Sequence, residues 1–344
     1  MKKISVAEAA TAVALVIVLA AAVALINQPS QASSGTLAIV GTDPAVASSG
    51  VSGATMSYTS VYAHQAGYSM ASGWTQVSGS GTMDLMASQG TAQTLAASKV
   101  SASSYDAFRF NVDTCKVVYQ GVTYTATVAS TTVTAQSQSK VNVNASSSAA
   151  AVVDFRTFIE NTASASNPQF VFSATAVATT VPPQTTASLS LQLGTVVDLS
   201  SHEWFSAFLS QTSTNLNVQG TISASSMNLA LQNSGGSSAE VQEIIVTPVS
   251  ATSLVSATLP ASLSGSAVFT VSSSGTVQQA SSLQASALLN QGATVSSGGS
   301  ASLDYSGSLA SNLGTQFTGI VPGEQYVVTC IGANTYASTT VVAT

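Results

Sequence analysis

Beyond residue 36 the chain repeatedly alternates apolar and polar residues with a period of two. Phe108, Phe110 and Val112 alternate with Arg109, Asn111 and Asp113. Val122, Tyr124, Ala126 and Val128 alternate with positions that include Thr123, Thr125 and Thr127. Leu189, Leu191 and Leu193 alternate with Ser188, Ser190 and Gln192. Successive side chains of a strand point to opposite faces, so this period gives each strand one buried and one wet face. Breaks such as Ser78-Gly79-Ser80-Gly81 and Ser297-Gly298-Gly299 read as turns. Many short strands with frequent turns predict an all-β chain built as sandwiches. Ser/Thr richness alone would suggest disorder, but the abundant Val, Ile, Leu and Phe at strand spacing argue for packed cores. With 344 residues there is room for about two or three domains.

Charge narrows the partners. Asp, Glu, Lys and Arg make up 6% of the chain, against about 25% in ordinary soluble proteins. Ser, Thr, Gln, Asn and Gly must therefore form the wet surface, which suits a protein that meets like neighbours outside the cell. The net charge is −6 with only seven Lys and Arg. No basic patch can be assembled from so few cations, so nucleic acid is excluded as a partner.

The N-terminus carries an export signal. From Ala9 to Ile26 Thr11 alone is polar, a run of 18 residues near the minimum for a membrane-spanning helix. Lys2 and Lys3 precede it and no cation follows until Lys99, so the N-terminus stays inside and the body is translocated. Three readings stand: an uncut signal anchor, a secretory signal cut between Ala32 and Ser33, or an assembly helix cut between Lys3 and Ile4. The last follows from a resemblance. Residues 4–26 resemble the N-terminal helix of archaeal type IV pilins, whose basic leader is cut just before the hydrophobic stretch. A cut before Ile4 makes Glu8 the fifth mature residue, and the resemblance implies that Glu8 pairs with a neighbour's N-terminal amine during assembly. A lone carboxylate on an apolar helix needs such a partner. Lys3 stands where those leaders end in Gly or Ala.

Composition and resemblance together divide the chain. The segments are a leader and hydrophobic helix (1–26), a polar linker (27–36), a first β-sandwich (37–181), a short linker (182–186) and a second β-sandwich (187–344). The Pro182-Pro183 pair within TTVPPQTT predicts an extended spacer. Two short helices are expected to interrupt the strands. In 150–160 Phe155, Phe158 and Ile159 would share one face. In 201–210 Ser201 would cap a helix carrying Trp204, Phe205, Phe208 and Leu209. Both stripes are expected to pack against a sheet.

The first sandwich carries Thr42-Asp43-Pro44, Val61-Tyr62-Ala63-His64, Gly73-Trp74, Asp84-Leu85 and Tyr105-Asp106-Ala107-Phe108-Arg109-Phe110. These residues resemble a widespread secreted domain of archaea and bacteria without assigned function, which implies a β-sandwich outside the membrane and no reaction. The segments 227–233, 243–247 and 321–329 resemble immunoglobulin-like sandwiches of archaeal pilins and other surface proteins.

No enzyme signature is found. His64 and His202 are the only histidines, and His202-Glu203 is followed by no second His, so there is no HExxH zinc site. There is no G-x-S-x-G elbow, P-loop or dinucleotide fingerprint. Asp43, Asp84, Asp106, Asp113 and Asp154 are candidates for a carboxylate pair or a calcium site, against their reading as turn and strand-end residues. Asp43 before Pro44 reads as a turn device. Arg109 is expected to pair with Asp106, Asp113 or Asp154, or to meet an anionic or glycan ligand. Cys115 and Cys330 form either one disulfide or two buried thiols. Asn144-Ala145-Ser146 is the only N-glycosylation sequon.

The sequence thus predicts an extracellular, non-enzymatic protein without cofactor or metal. Its first functional reading is a pilus-like archaeal filament subunit that contacts copies of itself through residues 4–26. A membrane-anchored adhesin or glycan-binding module is the alternative, with Tyr62, Tyr68, Trp74 or Trp204 exposed for stacking on sugars. A filament joined by strand donation after signal removal is the third.

Overall fold

The computed structural model describes residues 33–43, 45–87, 90–249, 259–280, 292–310, 319–332 and 335–344. The hydrophobic segment 4–26 and the residues Lys3, Ile4, Glu8 and Ala32 lie outside the described residues. The described chain is mostly β, as the alternation predicts. No helix among the described residues is long and apolar enough to cross a membrane.

The first sheet begins with β1 (Ser34–Thr42), β2 (Val46–Ala47), β3 (Val51–Gln65), β4 (Trp74–Ser78), β5 (Gly81–Asp84) and β6 (Thr91–Ser101). It continues with β7 (Ser103–Tyr119), β8 (Val122–Val128), β9 (Thr132–Val143), β10 (Ser148–Asn161) and β11 (Phe170–Thr180). Then follow helix α1 (Pro183–Thr186), strand β12 (Val196–Asp198) and helix α2 (Glu203–Thr212). The strand order is β12-β6-β1-β10-β11-β8-β7-β3-β4, with β9 bridging β7 and β11. The sheet curls until β4 and β5 lie against β6. Two polar side chains tie this closure. Gln93 on β6 donates to Thr82 O (2.9 Å) and accepts from Asp84 N (3.2 Å). The Tyr58 hydroxyl donates to Leu95 O at 2.7 Å. Gly81 lies directly under that hydroxyl, where any Cβ would collide with it.

Inside the curl lies the first core. Phe108 and Phe110 point into it, as their alternation predicts, together with Phe155, Phe172, Tyr105 and Tyr119. Each such side chain contributes about 1.5–3 kcal/mol by leaving water. Two segments depart from expectation. Residues 150–160 form β10, not a helix: the spacing of Phe155, Phe158 and Ile159 mimics a helical stripe because β10 is buried on both faces. Ala151, Val153 and Phe155 enter the first core, while Ala150 and Val152 pack on the outer side. Such strands read as continuous apolar runs rather than alternations. Residues 188–194 are not a strand either. Leu189 is buried, but Leu191 and Leu193 are exposed in a turn after α1.

The expected spacer at Pro182-Pro183 starts α1 instead. Residues 183–212, on the C-terminal side of that point, stay on the first sheet: β12 pairs with β6, and α2 packs Phe205 and Phe208 against Ala38, Val40, Ala150 and Val152. α2 matches the helix expected at 201–210. Its N-cap is His202 rather than Ser201, with no capping side-chain bond.

The C-terminal part forms β13 (Leu216–Ser223), β14 (Ser226–Asn233), β15 (Ala239–Val241), β16 (Glu243–Pro248), β17 (Ala267–Val271) and β18 (Val277–Gln279). It ends with β19 (Ala293–Val295), β20 (Ser300–Ser306), β21 (Gln325–Gly332) and β22 (Thr335–Val342). The sheets β13-β14-β20, β15-β19 and β18-β17-β16-β21-β22 enclose a second core. A third apolar layer joins the two: Phe158 and Val171 from the first sheet meet Ile245, Val268, Leu259 and Ile331.

Cys115 sits in the first core and Cys330 in the second, both as free thiols. The candidate disulfide is not formed, because each cysteine is consumed as a small apolar residue of a different core. Burial pushes both thiols up to about 12, and at Cys115 the charge of Asp43 adds to it. The native protein is therefore expected not to react with a thiol reagent at pH 8, since the thiolate is the nucleophile. Both cysteines should react once urea unfolds it, and non-reducing gel mobility should match reducing mobility.

Candidate functional site

The candidate carboxylates are scattered. Asp84 accepts from Met86 N at 2.9 Å in a turn, as a turn residue should. Asp113 is exposed on β7. Asp43 and Asp154 do approach each other, but as buried groups: Asp43 is 3% exposed and Asp154 4%. Asp43 is thus no simple turn device. Thr157 on β10 donates its hydroxyl to one Asp43 oxygen, while the other has no partner. Burial, helped by Asp154, raises the Asp43 pKa well above the usual carboxylate range. Asp154 is also raised by burial, against the opposing effect of Arg156 at 3.3 Å. No group of three or more His, Cys, Asp or Glu among the described residues is placed to hold a metal ion.

A polar and aromatic patch forms instead on the outer face of the first sheet. Strand register builds it. Tyr62 on β3 lies between Arg109 on β7 and Gln76 on β4, and His64 lies between Ala107 and Trp74. A register shift at Asp106 re-aims that residue, as bulges do. Its carboxylate meets His64 Nδ1 at 2.6 Å. His64 Nε2 meets Ser69 O at 3.0 Å in the β3–β4 turn. Both partners are acceptors, so the ring satisfies them only as an imidazolium with two N–H donors. Burial opposes that charge, but the bonds to Asp106 and Ser69 outweigh it and raise the His64 pKa.

Arg109 does not pair with Asp106, Asp113 or Asp154, nor with another carboxylate among the described residues. Its guanidinium carbon lies 3.9 Å from the centroid of Trp74, a cation–π contact worth about 0.5–2 kcal/mol. The Trp74 indole N–H donates to Met70 O at 2.9 Å, and the ring lies 4.9 Å from His64. Trp74 thus anchors the turn and is covered on the Arg109 side. The exposed rim is Tyr68, at 58%, with Met70 at 41%. Of the four aromatics considered for stacking, Tyr68 is the free one. Tyr62 and Trp74 are half-buried, and Trp204 packs on α2's apolar face with its N–H to Thr185 at 3.3 Å. The patch offers a guanidinium held on an indole, an exposed phenol ring and amide or hydroxyl groups, which are the means to hold a hydroxylated or anionic ligand.

The His64–Asp106 pair has a signed pH effect. A histidine pKa raised on folding stabilises the fold fully below the unfolded value near 6.5, and this is lost as pH rises through the folded value. Proton NMR, simplified by there being two histidines, should show one titrating above 6.5. His64→Gln should abolish that resonance and the matching part of the pH-dependence of unfolding.

Sequence reasoning did not single out Glu160 and Glu243, both fully buried between the cores. The available signal was a lone charge in an apolar run at Phe158-Ile159-Glu160 and Glu243-Ile244-Ile245.

Residues 34–173 match the family model described as "Domain of unknown function (DUF4382)". No curated protein matches the chain. Among solved structures, a DUF3823 family protein from Parabacteroides merdae is 10% identical, with a TM-score of 0.16, covering 91% of this chain and 100% of its own. Salmonella alpha-2-macroglobulin is 10% identical with a TM-score of 0.23, covering 88% of this chain, which spans 23% of that protein. A Ca²⁺-stabilized adhesin with which an Antarctic bacterium binds ice is 12% identical, with a TM-score of 0.16, covering 90% of this chain and 74% of its own.

Proposed function

We propose that this chain is a non-enzymatic structural subunit of an archaeal cell-surface filament, exported and assembled through its N-terminal hydrophobic segment. In this reading residues 4–26 pack as a helix in the filament core, and two tandem sandwiches form the exterior. The observation that carries it is the open sheet edge at β12. Among the described residues β12 pairs with β6 alone, and Leu191, Leu193 and Val196 beside it are 45%, 51% and 58% exposed. Unpaired edge backbone next to clustered apolar side chains is a template for another copy. The charge-poor surface opposes such contact only weakly.

N-terminal sequencing of a sheared surface fraction tests this. A chain starting at Ile4 supports assembly through Glu8, and the pair of changes Leu191→Ser and Leu193→Ser should thin the filaments of a folded protein. A start at Ser33 removes the helix and leaves strand donation as the joining device. An unprocessed chain confined to the membrane fraction overturns the pilus-like reading.

A second reading, an adhesin that binds glycans, draws on the exposed Tyr68 beside the Arg109–Trp74 stack. Loss of glycan-array binding in Tyr68→Ala and Arg109→Ala would support it, and unchanged or absent binding by the wild type would remove it. Asn144 is exposed in a turn and is accessible to a glycan of its own.

A further inference from the structure

The layer between the two cores holds two carboxyl groups that the patch does not use. Glu160 on β10 is 0% exposed and Glu243 on β16 is 1% exposed. Side chains alternate along a strand, so Glu160 shares the face of Phe158, and Glu243 shares the face of Ile245. Both therefore point into the apolar junction. None of their four carboxyl oxygens has a hydrogen-bond partner. Val171 lies opposite Glu160, and Thr270 and Ile331 flank Glu243. Among the described residues Tyr336, one strand beyond Ile331, is the other titratable group of this layer. Arg156, the cation on the same face of β10, is held by Asp154 at 3.3 Å.

Two ionised carboxylates cannot share an apolar layer without a partner. A calcium ion would need about six to eight oxygen ligands, and the two side chains offer four carboxyl oxygens in a layer lined mainly by apolar side chains. A proton is the remaining partner. We propose that Glu160 and Glu243 form a protonated carboxyl pair that latches the two cores together, closed in acid and opened by alkali.

Burial raises both groups, Glu160 to about 8, and the charge of Glu160 raises Glu243 further. The folded pair keeps protons that the unfolded chain releases above its ordinary value of 4.5. Stability is therefore full below that pH and falls as pH rises toward 8. The unfolding constant grows by roughly tenfold per pH unit for each carboxyl so held. A body built this way is most stable in an acidic exterior. His64, Asp43 and Asp154 change stability in the same direction, so substitution must isolate the share of the latch.

The test is urea unfolding of the full-length chain in detergent at pH 5 and pH 8, for wild type, E160Q and E160Q/E243Q. The wild-type unfolding constant should rise by about a hundredfold or more over that range. The double variant should lose most of this rise and exceed the wild type in stability at pH 8. Amide exchange in β10 and β16 should quicken at pH 8 in the wild type alone. If the double variant does not fold, the infrared band of a protonated carboxyl decides: it should be present in the wild type at neutral pH and reduced in E160Q. Equal pH slopes, or no such band, overturn the proposal. Restoration of wild-type stability at pH 8 by calcium alone also overturns it, in favour of a cation site.

Discussion

Phe110→Ala should lower the unfolding free energy by about 3–5 kcal/mol, the range for emptying a buried aromatic site. Phe110 is 0% exposed in the middle of β7. Its ring lies 4.9 Å from that of Phe155 on the facing strand and 6.1 Å, edge-on, from Tyr58. Both neighbours are committed elsewhere: Tyr58 is held by its bond to Leu95 O across the sheet closure, and Phe155 by the both-sided burial of β10. Neither can swing into the cavity without breaking the curl. The loss is a large part of the roughly 5–15 kcal/mol that holds an ordinary domain folded. Urea unfolding followed by Trp fluorescence measures it. A change below about 1 kcal/mol would mean that the first core does not pack around this ring.

Asn161→Ala should cost roughly 3 kcal/mol, through hydrogen bonds rather than volume. Asn161 ends β10 and is 0% exposed. Its side-chain amide donates to Ala261 O at 2.9 Å, and its side-chain oxygen accepts from Ala163 N at 3.2 Å and Gln169 N at 3.1 Å. Its backbone N–H donates to Ser48 Oγ at 2.9 Å, and its carbonyl accepts from Leu263 N at 3.1 Å. Alanine keeps the backbone bonds and orphans the other partners, which is the costly way to remove a buried hydrogen bond. Because Ala261 belongs to the C-terminal part, the junction should open before the cores do. Hydrogen exchange should show faster amides at 259–263 with β7 unchanged, and uniform acceleration would contradict this.

Much of the fold was legible in the residues. The alternation at Phe108, Phe110 and Val112 identifies β7 because a half-buried strand has one geometric solution for its apolar set. The aromatic stripe of α2 was equally clear, since Phe205 and Phe208 fall on one helical face. β10 was not, because burial on both sides erases the alternation that marks a strand. The Leu189, Leu191 and Leu193 alternation misled, since residues in a turn can mimic a strand's period with no partner to pair with. The patch was half legible. His64, Trp74, Asp106 and Arg109 stood out as polar or aromatic residues among strands. Their pairing did not, because it depends on a register shift at Asp106 and on a turn folding back over His64.

By itself the sequence determined the class of structure and the poverty of charge. These are local properties: side-chain period, composition and the lengths of apolar runs. Only the tertiary structure decided that Arg109 stacks on Trp74 instead of pairing with an aspartate, that Cys115 and Cys330 lie in separate cores, and that Glu160 faces the same apolar layer as Glu243. Each of these depends on strands distant in the chain lying side by side. The energy of a buried charge or thiol is set by what surrounds it in space, and sequence neighbours supply little of that surrounding.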